Sequence, residues 1–281
     1  MKKQKLAVVF AALLTMVGFS SCLNSEDDGI TEIVDYAEVS TSSFGSVSFN
    51  SMYGWVCVPD KSLTTTPESQ LAYIAYRYED ADLQSITSGT SDSKNLSVTL
   101  LQDPVYLKRL DCSTTTLPEE TKTVSIYSLG ERDALVWGNN KYLILAPTIL
   151  LKKGTTSENL STELLNHRLT LYYLSAEGDE DANTLKLYLR YEISGIGESS
   201  TEETDDKESW ASDYNIQYTN VSYVNLQPII SMYKSTHSGS DPEKVTVEYE
   251  YNNSASSIPT IAKKRTKTVT YSLYTETSSN N

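Results

Sequence analysis

Apolar and polar residues alternate with a period of two along much of this chain. In 185–193, Leu185, Leu187, Leu189, Tyr191 and Ile193 fall on one face, while Lys186, Arg190 and Glu192 fall on the other. That pattern marks a strand with one buried and one wet face. Val245, Val247, Tyr249 and Tyr251 alternate in the same way with Thr246, Glu248 and Glu250, and Val269, Tyr271 and Leu273 repeat it. Further strands are predicted within 47–58, 71–78, 96–101, 105–110, 123–129, 141–151, 168–174 and 216–226. The turn formers Gly178-Asp179-Glu180-Asp181-Ala182-Asn183 lie between two alternating runs and predict a hairpin. Helical signal is thin, limited to a short turn through Glu163, Leu164 and Leu165 that Ser161 would cap. Many short strands with frequent turns predict an all-β protein, a sandwich or barrel pair. No repeat of fixed period is evident, which argues against a solenoid or propeller.

Two segments break the alternation. The first is the N-terminus: Lys2, Lys3 and Lys5, an apolar run from Leu6 to Phe19, then Ser20-Ser21-Cys22. A basic start, an apolar stretch too short for a comfortable membrane span and small residues before a cysteine predict a lipoprotein signal peptide over 1–22, with lipidation at Cys22. Each buried lipid methylene contributes about 0.8 kcal/mol, so several chains hold a protein to a membrane almost indefinitely. Residues 23–40 open with Asn24-Ser25-Glu26-Asp27-Asp28-Gly29 and are expected to form an acidic flexible tether. The second segment is the acidic, Ser/Thr-rich stretch 198–212, a solvated insertion or a functional surface loop.

Charge narrows the possible partners. Loss of the signal peptide ahead of Cys22 takes 23 basic residues to 20 against 37 acidic, a net charge of -17. So acidic a body repels nucleic acid and anionic headgroups, leaving the lipid at Cys22 as the membrane contact. Twenty tyrosines against four phenylalanines give aromatic surface with polar tips, suited to half-buried strands or to stacking on glycans. After lipidation two cysteines remain, Cys57 and Cys112, and export places them outside the reducing cytosol. They form either one disulfide, worth about 4 kcal/mol on the chain-entropy model, or two buried free thiols.

Candidate chemistry is sparse. Triads and most zinc sites require histidine, and the chain has two, His167 at the start of a predicted strand and His237 in a Ser/Thr/Gly loop. Asp179, Asp181 and Asn183 match the opening of an EF-hand loop, but Thr184 stands where the turn needs Gly and Arg190 where the site needs a bidentate Glu. Gly195-Ile196-Gly197 lacks the third glycine of a dinucleotide fingerprint. Acids are abundant, yet none sits in an apolar context of the kind that raises a catalytic carboxyl's pKa. The basic group Lys263-Lys264-Arg265 with Lys267 reads as a charged strand edge that blocks aggregation. No catalytic residue, metal or cofactor is expected.

The chain resembles the NigD-like lipoproteins of anaerobic Gram-negative bacteria. The resemblance rests on Ser20-Ser21-Cys22 with its acidic follow-on, on 71–78 and 96–110, on Trp137-Gly138-Asn139-Asn140-Lys141-Tyr142-Leu143, and on 185–191 and 244–251. It implies an N-terminal OB-like barrel, assigned to 41–120, and a C-terminal antiparallel β-sandwich, assigned to 121–281, with a boundary near 117–122. It also implies an outer-membrane anchor and no established catalytic residues. In the same light Glu26-Asp27-Asp28 looks like a signal for export to the cell surface. The expected function is a non-catalytic lipoprotein binding an envelope protein or a glycan, with a structural subunit of an envelope complex or a carboxylate-dependent glycoside hydrolase as alternatives. Tyr53, Trp55, Trp137 and Trp210 are the candidate binding aromatics, since Trp and Tyr dominate binding hot spots.

Overall fold

The computed structural model describes residues 29–63, 66–89, 94–130, 134–175, 183–196, 209–254 and 258–274. Cys22, the first part of the expected tether, Asp179, Asp181 and residues 198–208 lie outside them. The chain divides into two compact units, one ending at Lys108 and one beginning at Arg109. The division falls ahead of the expected 117–122 boundary, because the strand pairings of the second unit begin with residues 109–113.

The first unit is a closed five-stranded OB-like barrel. Its strands are β1 (Ile30–Thr41), β2 (Val47–Ser51), β3 (Val56–Pro59), β4 (Leu71–Glu79) and β5 (Asn95–Leu100), joined by β6 (Val105–Tyr106) at the edge of β4. Closure depends on β1. Its later half pairs antiparallel with β2, from Ala37↔Ser51 to Thr41↔Val47, while Ile30↔Glu79 to Glu38↔Leu71 join it to β4. The barrel is completed by antiparallel β2–β3, parallel β3–β5 and antiparallel β4–β5 pairings. Residues 30–40, expected as tether, are therefore the first barrel strand. Their polar composition hides an alternating face, Ile33, Ala37 and Val39, that packs on the barrel core. That core is built from Phe49, Cys57, Ala72, Ile74, Tyr76, Leu96 and Val98. A helix, α1 (Asp80–Thr87), follows β4 directly, with Asp80 and Asp82 in its first turn where the helix dipole favours acids.

The second unit is a sandwich-like set of sheets. It contains β7 (Lys108–Arg109, at the division), β8 (Asp111–Ser113), β9 (Leu135–Trp137), β10 (Tyr142–Leu145), β11 (Thr148–Lys152), β12 (His167–Tyr172), β13 (Thr184–Ile193), β14 (Tyr214–Thr219), β15 (Ser222–Asn225), β16 (Lys244–Tyr251) and β17 (Arg265–Ser272). Helices α2 (Leu160–Leu164) and α3 (Gln227–Thr236) and a 3-10 turn at Ser209–Asp213 complete it. The largest sheet has the order β17-β16-β13-β12-β8, with antiparallel β12–β13 and β16–β17 and parallel β13–β16 and β8–β12. Smaller sheets are β7-β15-β10-β9 and β11-β14. The expected strand at 141–151 is two strands, because Pro147 cannot donate to a ladder. The expected strand at 123–129 makes only single bridges, Ile126↔Tyr251 and Ser128↔Thr148.

On β13 the alternating residues Leu185, Leu187, Leu189, Tyr191 and Ile193 enter the core as their spacing predicts. The opposite face differs from expectation, since Tyr188 and Arg190 are buried too. Segments around 120–126 and 258–264 close over it: Val124 N–H donates to Tyr191 O and Ser125 N–H to Thr260 O.

Candidate binding site at the β2–β3 turn

The turn between β2 and β3 is built by Ser51 and Gly54. Ser51 N–H donates to Trp55 O at 2.9 Å and Gly54 N–H to Ser51 O at 3.3 Å, while Tyr53 N–H donates to Ser51 Oγ at 3.1 Å. Gly54 has φ +94°, a region L side chains rarely adopt, so glycine is what lets the chain reverse here. This geometry pushes Met52 (48% exposed) and Tyr53 (59% exposed) into solvent. Tyr53 stacks on Trp55, with ring centroids 5.0 Å apart and planes 20° apart. Trp55 is half-buried and packs on the barrel core. A rigid aromatic pair thus has one wet ring and one ring seated in the fold, at little cost in side-chain entropy on binding.

Beneath it lies an unusual set of polar groups. Cys57 and Tyr76 have no exposed surface. Burial pushes the Cys57 thiol up to about 11 and raises the Tyr76 phenol as well. Asp35 shares the β1 face of Ile33 and Ala37, and burial pushes its carboxyl up to about 6, partly offset by the Tyr36 N–H that donates to Asp35 Oδ1 at 2.7 Å. Asp35 Oδ2, Trp55 Nε1 and Tyr76 Oη are buried without a hydrogen-bond partner among the described residues. Asp35 escapes the sequence reading because the stretch around it reads as tether. The signal is present in Ile33-x-Asp35-x-Ala37-x-Val39, which sets an acid on an apolar face.

The other expected site residues separate. Trp137 is 4% exposed, its ring 5.9 Å from Tyr142, which in turn meets Tyr223 edge-on at 5.4 Å. It is a core residue, which corrects its place among the binding aromatics. Trp210 is half-buried, packed edge-on to Tyr214 at 5.8 Å and against the second unit's core. Cys57, in the first unit, and Cys112, in the second, are free thiols, the expected alternative to a disulfide. Cys57 faces the barrel core, whereas Cys112 lies on β8 and pairs with Leu171.

Two polar networks in the second unit were missed as networks. His167 Nε2 lies 3.1 Å from Glu163 Oε1, and His167 Nδ1 lies 2.5 Å from Tyr191 Oη. A carboxylate only accepts, so Nε2–H donates to Glu163, and in the neutral imidazole Nδ1 then accepts from the Tyr191 hydroxyl. Burial works against the Glu163 charge, yet the bonds from His167, the Lys152 N–H and Asn166 hold its carboxyl below the usual range. The imidazole and the phenol are sealed from solvent, so this chain of bonds fastens α2 to β12, as expected for a structural His167. His237 caps α3, its ring stacked on Tyr233 at 3.8 Å.

The second network is ionic. Arg190 pairs with Glu248 at 2.8 Å and lies 3.9 Å from Glu250, and Lys264 pairs with Glu250 at 3.0 Å. Lys264 also donates to Glu120 O at 2.7 Å and to Thr123 Oγ1 at 2.5 Å. Lys264 is therefore a buried strut rather than part of a charged edge, whereas Arg265 and Lys267 do lie on the sheet's edge strand β17. Among the described residues no group of three or more His, Cys, Asp or Glu is placed to hold a metal ion, and no helix is long and apolar enough to cross a membrane.

Neither family models nor curated proteins give a match to this sequence. Solved structures do. A Bacteroides fragilis protein described as a lipoprotein superposes with TM-score 0.65 at 18% identity, covering 88% of this chain and 99% of that one. An uncharacterized protein from Parabacteroides merdae gives TM-score 0.51 at 15% identity, covering 86% of this chain and 100% of that one. The fold is shared with both. A NigD-like immunity protein from Bacteroides caccae reaches TM-score 0.44 at 11% identity, covering 84% of this chain and 96% of that one.

Proposed function

We propose that this protein is a non-catalytic lipoprotein of the outer membrane, anchored through lipid on Cys22 and facing the cell surface, that binds a protein or glycan partner through the β2–β3 turn. One observation carries the reading: a solvent-facing Tyr53 stacked on a seated Trp55, beside exposed Met52. Aromatic rings held rigidly at a surface are the side chains most often found at binding hot spots. The lipoprotein description of the Bacteroides fragilis structure supports the anchor, as does the Lys-rich, apolar, Ser-Ser-Cys start of the sequence. The NigD-like resemblance is a finer assignment of the same kind. A Cys22→Ser variant is expected to leave the membrane fraction. The binding test compares cross-linked capture from intact cells, together with a glycan array, between the wild type and Tyr53→Ala. Loss of a partner or glycan in a folded Tyr53→Ala protein supports the reading, and unchanged profiles on both platforms refute it.

A second reading, a subunit that pairs with an envelope partner along a strand edge, is favoured by β17. It ends the largest sheet of the second unit and most of its positions are exposed. Strand addition at such an edge is a known mode of recognition. Cross-links at β17, in place of the β2–β3 turn, would select it.

A further inference from the structure

Three buried polar atoms in the barrel have no partner among the described residues: Asp35 Oδ2, Trp55 Nε1 and Tyr76 Oη. They come from separate strands yet converge. Asp35 is opposite Ile74 and Tyr76 is opposite Ile33 on the β1–β4 ladder, so Asp35 and Tyr76 are diagonal neighbours on one face, a separation long side chains can span. Trp55 precedes Cys57 by two residues and so shares its face, and Cys57 lies opposite Phe49 toward the core. The Tyr76 hydroxyl lies within polar-contact reach of the Cys57 thiol and the Trp55 indole N–H, short of good hydrogen-bond geometry, and feels the Asp35 charge.

The chemistry of the three is complementary to a small polar molecule. The indole N–H only donates. Asp35 Oδ1 is already occupied by the Tyr36 N–H, leaving Oδ2, and the Tyr76 hydroxyl can both donate and accept. The surrounding wall of Ile33, Ala37, Phe49, Ile74, Leu96 and Val98 is apolar, and the Cys57 thiol, a weak donor and acceptor, lies beside the Tyr76 hydroxyl and the Trp55 indole. The titratable groups that face Asp35 are Cys57 from β3 and Tyr76 from β4, with Tyr73 also within its electrostatic reach. Burying three such groups side by side is costly unless they share a partner, and in protein interiors that partner is commonly an ordered water making two to four hydrogen bonds.

We propose that the barrel contains an internal water-binding site in which ordered water bridges the Asp35 carboxyl, the Tyr76 hydroxyl and the Trp55 indole N–H, beneath the Tyr53–Trp55 platform. The site ties the floor of the turn to β1 and β4. It stands independently of what the platform binds.

A crystal structure of the full mature chain, at a resolution that orders internal water, tests this directly. Water density within hydrogen-bond distance of all three atoms is expected. Direct bonds among the three side chains, a dry gap between them, or an ion in their midst overturns the proposal. In solution, Tyr76→Phe and Asp35→Asn, singly and together, are compared by the denaturant midpoint of Trp55 fluorescence in a Trp137→Phe, Trp210→Phe background. Groups sharing one water give a double-variant shift smaller than the sum of the single shifts, whereas additive shifts count against it. If Tyr76→Phe does not fold, Trp55→Phe paired with Asp35→Asn gives the same comparison, read by circular dichroism.

Discussion

Asp35 makes the stability of the barrel depend on pH in a direction opposite to that of an ordinary salt-bridged carboxylate. Its carboxyl is pushed from 3.8 to about 6 by burial on the inward face of β1. Below about pH 4 the folded and unfolded chains both hold the proton, and Asp35 imposes no penalty. Between about 4 and 6 the unfolded chain releases its proton first, so stability falls as pH rises. Above about 6 the folded barrel carries a buried carboxylate and the full penalty is present. A shift of roughly two units at about 1.36 kcal/mol each gives a penalty of about 3 kcal/mol. Asp35→Asn keeps the shape and an acceptor while removing the ionisation. It is expected to raise stability by up to about 3 kcal/mol at about pH 7.5 and to change it little at about pH 3.5. The assay is urea denaturation at those two values and at about pH 5, between the two pKa values, followed through Trp55 in a Trp137→Phe, Trp210→Phe background, where the signal reports the barrel alone. Taking the difference between the parent protein and the Asp35→Asn variant at each pH cancels every other carboxylate. A difference that stays constant with pH, or a variant less stable than its parent at the highest pH, would refute the reasoning.

Lys264→Met should destabilise the second unit by roughly 3–5 kcal/mol, since it leaves Glu250 buried with Arg190 at 3.9 Å as its remaining cation and frees the 120–123 segment; a loss under about 1 kcal/mol in denaturant titrations contradicts a buried strut. Gly130→Ala should cost roughly 3 kcal/mol, because φ is +67° and an added Cβ would collide with the Ala146 carbonyl oxygen. A thermal midpoint equal to wild type would contradict that. Cys57 and Cys112, both pushed up to about 11 by burial, should resist a thiol reagent in the folded protein and both label without reductant once it is unfolded. Failure to label after unfolding would mean that the two are bonded.

What the sequence shows and what it hides follow from the same alternation. Period-2 patterning finds β13 and β16 because their core faces are purely apolar, with Leu185, Leu187 and Leu189 beside Val245 and Val247. It reports only that the two faces differ, not whether the second is covered, so Arg190 and Glu250 read as wet although each is 8% exposed. Nothing local announces that residues 120–126 and 258–264 fold back over them. The pattern fails at β1 for a related reason: Asp35 sits at an inward position and breaks the apolar face that would have marked the strand. The helix α3 is legible in Pro228 of its first turn and in Ile229 and Tyr233, four apart on its buried side, but strand-like neighbours mask it. The candidate site divides along the same line. Tyr53 is exposed because the expected strand at 47–58 is two strands with a turn at Gly54 between them, and turn tips face water. Trp137, in the turn-like Trp137-Gly138-Asn139-Asn140, is nonetheless buried, its ring against Tyr142, which in turn meets Tyr223, contacts fixed only when β10 pairs with β9 and β15. Exposure at the end of a strand is thus a property of the pairing. The polar knot of Asp35, Trp55 and Tyr76 goes one step further, since three separate chain segments meet only when β1 closes the barrel onto β4.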